Sequence, residues 1–87
     1  MRNRVVLTTR AVKGLEGAPG HVQRKATEAI DALQETFAPV KSFDVKKLKG
    51  VDGTFRIRIG GWRIIYEFHR TESLVVVLDV APRGGAY

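Results

Sequence analysis

From Phe55 to Phe68 apolar and polar positions largely alternate, and Gly60-Gly61 interrupts them once. Two such runs around two glycines predict a tight β-hairpin. With the glycines as the loop, Ile59 faces Trp62, Arg58 faces Arg63, Ile57 faces Ile64 and Phe55 faces Tyr66. Side chains alternate between the faces of a sheet. Phe55, Ile57, Ile59, Trp62, Ile64, Tyr66 and Phe68 therefore share one apolar face, expected in the core. Arg56, Arg58 and Arg63 share the other.

The rest of the pattern supplies the partners. Arg4-Val5-Val6-Leu7-Thr8 reads as a short first strand. Thr8 or Thr9 can cap a short helix that places Ala11, Val12 and Leu15 at helical spacing; Gly14 and Gly17 weaken it and Pro19-Gly20 ends it. Val22, Ala26, Ala29, Ile30, Leu33 and Phe37 make one apolar stripe, predicting a longer helix from about His21 to Phe37, stopped by Pro39. Val40 to Val51 reads as a connector, anchored by Val45 and Leu48. Leu74 to Ala81 is an almost unbroken apolar run, expected to be a strand buried on both faces and central in its sheet. The order is β-α-α-β-β-β. This is an α+β fold: a mainly antiparallel sheet of about four strands, two N-terminal helices on one face, the other face open with the arginines on it.

At 87 residues the chain is expected to form a single domain, 1–87. It has no cysteine, so its apolar core must hold it together. No stretch has the length of a membrane helix and the N-terminus lacks a signal-peptide core, which makes the cytoplasm the expected compartment. The net charge is +6, and it is unevenly placed: residues 41–70 carry eight basic and three acidic side chains. A basic stripe concentrated on the hairpin and the connector before it suggests a polyanionic partner rather than a merely solvated surface.

Candidate chemistry follows from that stripe. His21 and His69 lie far apart, and no carboxylate pair has ligand spacing, so no metal or other cofactor is expected. Gly60-Gly61 lacks the strand–loop–helix setting of a phosphate loop. Like charges directly opposed across a hairpin are destabilising, so the Arg58/Arg63 pair with Arg56 alongside implies a bound anion. Guanidinium forks match phosphate oxygens and keep their charge. Arg83 follows the last strand and should emerge beside the hairpin. Tyr87, four residues on, could stack on a base or carry a proton. Together Arg56, Arg58, Arg63 and Arg83 can surround one phosphodiester.

Lys47-Leu48-Lys49-Gly50, the Phe55–Ile59 strand, Trp62-Arg63-Ile64-Ile65-Tyr66, and the Leu74–Val80 run leading to Arg83 and Tyr87 resemble the RelE/ParE family of toxins from toxin–antitoxin pairs. The resemblance covers about half the chain closely. It implies, for the RelE branch, a metal-independent endoribonuclease that cleaves mRNA in the ribosomal A site and so inhibits translation. Arg56, Arg58 and Arg63 would stabilise the phosphate and transition state, Arg83 the leaving oxygen, and Tyr87 the base or the 2′-hydroxyl proton. Lys41, Lys46, Lys47 and Lys49 are the expected RNA and ribosome contacts. The resemblance also implies a cognate antitoxin, in a complex that can be heterotetrameric. The family's best-known members carry lysines where Arg56 and Arg58 stand, and arginine cannot serve as the base. Two alternatives stay open: a ParE-like toxin that inhibits DNA gyrase without cutting RNA, and a degenerate homologue that only binds antitoxin.

Overall fold

Thr8 joins the first strand, the first helix and the last strand. Its side-chain oxygen accepts a hydrogen bond from Ala11 N at 3.1 Å, capping the helix, and donates to Leu78 O at 2.8 Å. The computed structural model in which this is seen describes residues 2–48, 50 and 52–83. Strand β1 (Arg4–Leu7) leads into helix α1 (Thr9–Glu16) and helix α2 (Gly20–Ala32). Strands β2 (Asp44–Lys47), β3 (Thr54–Ile59), β4 (Trp62–His69) and β5 (Leu74–Pro82) follow. The sheet order is β1-β5-β4-β3-β2. Among the described residues only the β1–β5 pair is parallel.

Gly14 explains why a weak helix former stands inside α1. A Cβ there would lie 1.8 Å from the carbonyl oxygen of Val80, so the helix touches the β5 backbone directly. In α2 the small Ala26 and Ala29, both fully buried, let the helix lie close on the sheet with Val22. The core joins these residues and Leu33 to Ile57, Ile64, Tyr66, Val75, Val77 and Val80.

The hairpin has the register that its alternation predicts, with Ile59 opposite Trp62 and Arg58 opposite Arg63. Gly60 has φ +57°, the left-handed conformation a two-residue loop requires at its first position.

Three expectations are revised. First, α2 stops at Ala32 rather than Phe37. Phe37 keeps the helical spacing, but its ring stacks on Phe68 at 4.7 Å and its carbonyl accepts the Tyr66 hydroxyl at 2.7 Å. The end of α2 is held instead by Asn3, which donates from its backbone to Gln34 O and from its side chain to Leu33 O. Second, the connector contains β2, a fifth strand, which pairs antiparallel with β3 at the sheet edge. Third, β5 is interior, but β4 occupies the middle position.

The β4–β5 ladder carries an irregularity. Ile65 pairs with Asp79 and Tyr66 with Val77, so Leu78 is skipped. This break in phase lets Val75, Val77 and Val80 all enter the core, although strict alternation would send Val80 to the other side. It also places Asp79 on the face away from the helices.

Candidate functional site: a basic sheet face

On that second face the register lays out two rows across the strands. One runs Asp44, Arg58, Arg63, Ala81; the next runs Lys46, Arg56, Ile65, Asp79. Strands in a sheet stand about 4.8 Å apart, so each row is a short line of neighbouring side chains. Arg58 is exposed and Arg63 half-buried. Arg83 is exposed at the end of the sheet, where its backbone N donates to Gly61 O at 2.6 Å. That bond carries the β4–β5 pairing past Pro82 and brings Arg83 beside the hairpin tip.

Arg56 departs from the open surface expected for it. It is only 7% exposed, and so is fully buried beside Ile65, which has no exposure at all. Long charged stems flanking the middle of a five-stranded sheet can cover an apolar centre in this way. Arg56 Nη1 lies 3.7 Å from Asp44 Oδ2 and makes no hydrogen bond among the described residues. A buried donor left unsatisfied is costly, more so when charged. The site therefore holds a preplaced cation with one guanidinium nitrogen, Nη1, that makes no hydrogen bond among the described residues.

Sequence reasoning missed the carboxylates of this face. Asp79 is buried and pairs with Arg10 of α1 at 3.3 Å, and Asp44 sits directly opposite Arg58. Asp79 had one signal, a charge inside an apolar run. Asp44 had none, because its place depends on the register of an unanticipated strand. Among the lysines, Lys46 joins the face opposite Arg56, while Lys47, opposite Phe55, belongs to the helix side. Lys41 lines a separate hollow of about 370 Å³ with Ala32, Glu35 and Pro39. Lys49 and Tyr87 lie outside the described residues.

Tyr66 is excluded as a proton carrier. Burial pushes its hydroxyl well above the ordinary tyrosine range, and the proton is donated to Phe37 O. His69 lies at the other end of the face, 3.1 Å from Glu67. Among the described residues no group of three or more metal-ligating side chains occurs, and no helix is long and apolar enough to cross a membrane.

A two-helix, five-stranded α+β domain with an arginine-lined open face is the architecture of a known class of small toxin. The family model for the ParE toxin of type II toxin–antitoxin systems matches residues 5–87. A Methanocaldococcus jannaschii protein bearing the name toxin RelE1 is 32% identical over 87 residues, covering 100% of this chain and 97% of that one. The crystal structure of the archaeal RelE–RelB complex from Pyrococcus horikoshii superposes with a TM-score of 0.84 at 33% identity, covering 99% of this chain and all of that one. The RelB–RelE antitoxin–toxin complex from Methanococcus jannaschii gives 0.79 at 26% identity, with 91% of each chain covered. The chain belongs to the RelE/ParE family of toxins of toxin–antitoxin systems.

Proposed function

We propose that this toxin is a ribosome-dependent endoribonuclease that cleaves mRNA without a metal and acts in the cytoplasm. The observation that carries the reading is the directly opposed Arg58/Arg63 pair, with buried Arg56 in the next row and Arg83 held at the adjoining tip. In the proposed step a 2′-oxygen attacks the adjacent phosphorus and the bond to the 5′-oxygen breaks. A 2′,3′-cyclic phosphate and a 5′-hydroxyl end result. Negative charge grows on the non-bridging oxygens, and each well-placed donor lowers the barrier by about 3–4 kcal/mol. Arg58 and Arg63 are assigned to those oxygens, Arg56 supports them from beneath, and Arg83 is assigned to the leaving oxygen. Tyr87 is assigned to base stacking and to acceptance of the 2′-hydroxyl proton. Placement of the RNA by the ribosome lessens the need for a strong base on the toxin.

The partners in this reading are mRNA, the ribosomal A site and a cognate antitoxin that covers the basic face, in a heterotetrameric complex. The RelE–RelB complexes among the structural relatives support the antitoxin. The test is induction of the toxin alone, with transcript ends mapped during growth arrest. Cleavage within translated codons is expected, and Arg63→Ala and Arg83→Ala should each abolish it with the fold intact. Full toxicity of both variants would refute the site.

A second reading, inhibition of DNA gyrase, is favoured by the family model that matches, which is named for ParE. It predicts DNA-damage signalling with intact transcripts, so the same induction separates the two.

A further inference from the structure

Around the hairpin tip, on the helix side of the sheet, lies a cleft of about 620 Å³. Its apolar wall comprises Trp62, Phe43 and Val22, and Lys25 stands on its rim. Trp62, expected in the core from the sequence, packs against it in the fold while half-buried, and it also lines this hollow. Two further lining residues, Arg58 and Asp44, are also the first two members of the arginine row. The cleft and the basic face are thus two sides of one sheet end, sharing a cation.

Among the described residues, a Cβ added at Gly60 or Gly61 would meet no atom within 4 Å, so the two glycines leave space at the tip between the two sides. On the face side of that tip, Nη1 of the buried Arg56 faces Asp44 at 3.7 Å and makes no hydrogen bond among the described residues. Asp44 is a loosely held carboxylate, half-exposed, where a phosphate oxygen would be better placed. Aromatic walls, a cationic rim and an unsatisfied buried cation next to a displaceable carboxylate together suit one ligand class.

We propose that the cleft is a nucleotide subsite, which takes a base flanking the scissile phosphate against Trp62 and Phe43 while its phosphate displaces Asp44 from Arg56 and also meets Arg58. This rests on the endoribonuclease reading and adds to it a second base-binding position. It also assigns Asp44 a role as the counter-ion that fills the site between substrates.

Trp62 is the sole tryptophan of the chain, so its fluorescence reports on the cleft. The probe is a 2′-O-methylated trinucleotide, which cannot be cleaved, titrated into the full-length protein at low salt. Binding should quench Trp62, and an abasic trinucleotide of equal charge should bind roughly tenfold more weakly without quenching. Asp44→Asn should tighten binding about threefold, and the control Glu67→Gln, on the same face, should change it less. Lys25→Glu, on an exposed helix position, should weaken quenching while leaving the melting temperature unchanged. Trinucleotide binding seen by anisotropy, abolished by Arg63→Ala but silent at Trp62, would overturn the subsite and leave the nuclease reading standing. Absence of binding, or binding indifferent to Arg63→Ala, would bring down both. Quenching of equal strength by an acidic peptide would overturn the nucleotide assignment in favour of a protein occupant.

Discussion

The two faces of the sheet are built from the same strands by opposite rules. On the helix face, Ile57, Ile64, Tyr66, Val75, Val77 and Val80 meet α1 and α2 in one continuous core, and the buried Tyr66 hydroxyl has its acceptor. On the other face two arginines are directly opposed, a third is buried with a nitrogen that makes no hydrogen bond among the described residues, and a buried aspartate depends on a largely exposed arginine. Native proteins satisfy nearly all buried polar groups, and exceptions mark places where something other than stability was selected. The helix face is therefore where the fold is stabilised, and the arginine face carries opposed and incompletely satisfied charge of the kind the proposed binding role would use.

Perturbations that separate the two roles sharpen that contrast. The largest effect on stability should come from Leu33→Ala, which empties a fully buried position and should cost about 2–5 kcal/mol in denaturant unfolding. The largest effect on activity should come from Arg63→Ala, with cleavage down by roughly 10²–10³-fold and stability changed by no more than about 0.5 kcal/mol. Arg56→Met is the sharpest test of the comparison. Replacing a poorly paired buried cation with an apolar chain should leave unfolding unchanged or stabilise by about 1–2 kcal/mol, while lowering cleavage. An Arg56→Met variant that melted early and lost several kcal/mol would make Arg56 part of the scaffold instead. The smallest effect belongs to Tyr66. Its folded pKa is raised, so the proton is held more tightly in the folded state than in the unfolded one. That contribution is fully present below about pH 10, the unfolded value, and is lost as pH rises above it. Tyr66→Phe should flatten the alkaline limb of stability against pH without affecting neutral pH cleavage.

Much of the helix face was legible in the sequence, because it rests on local periodicity. The hairpin register followed from Gly60-Gly61, and the α2 stripe followed from its spacing. Phe37 misled because a residue at helical spacing can serve an aromatic cluster beyond the helix just as well. Asp44–Lys47 escaped notice because a short edge strand of Asp-Val-Lys-Lys has almost no alternating signal and exists only through pairing with β3. The site was half legible for the same reason. Arg58 and Arg63 sit within one hairpin, so local reasoning placed them together. Asp44, Asp79 and Arg10 reach that face through a distant strand pairing, a skipped residue and a helix, none of which has a local signature. Trp62 packs against the core as alternation predicts, but alternation said nothing of the hollow it also lines at the sheet's end.

The pairing of β1 has a consequence for biosynthesis. Among the described strands its hydrogen-bonded neighbour is β5, with Arg4 beside Leu74, so β1 can pair only after a strand some seventy residues further on has been made. Until β5 emerges, α1 has no Val80 backbone to rest on, Thr8 has no Leu78 carbonyl to reach, and β4 has an open edge. Contacts of such long sequence separation form late. In the folded domain the arginine hairpin is therefore aimed only once β5 has docked between β1 and β4. The arginine face is thus completed by the same long-range pairing that closes the sheet.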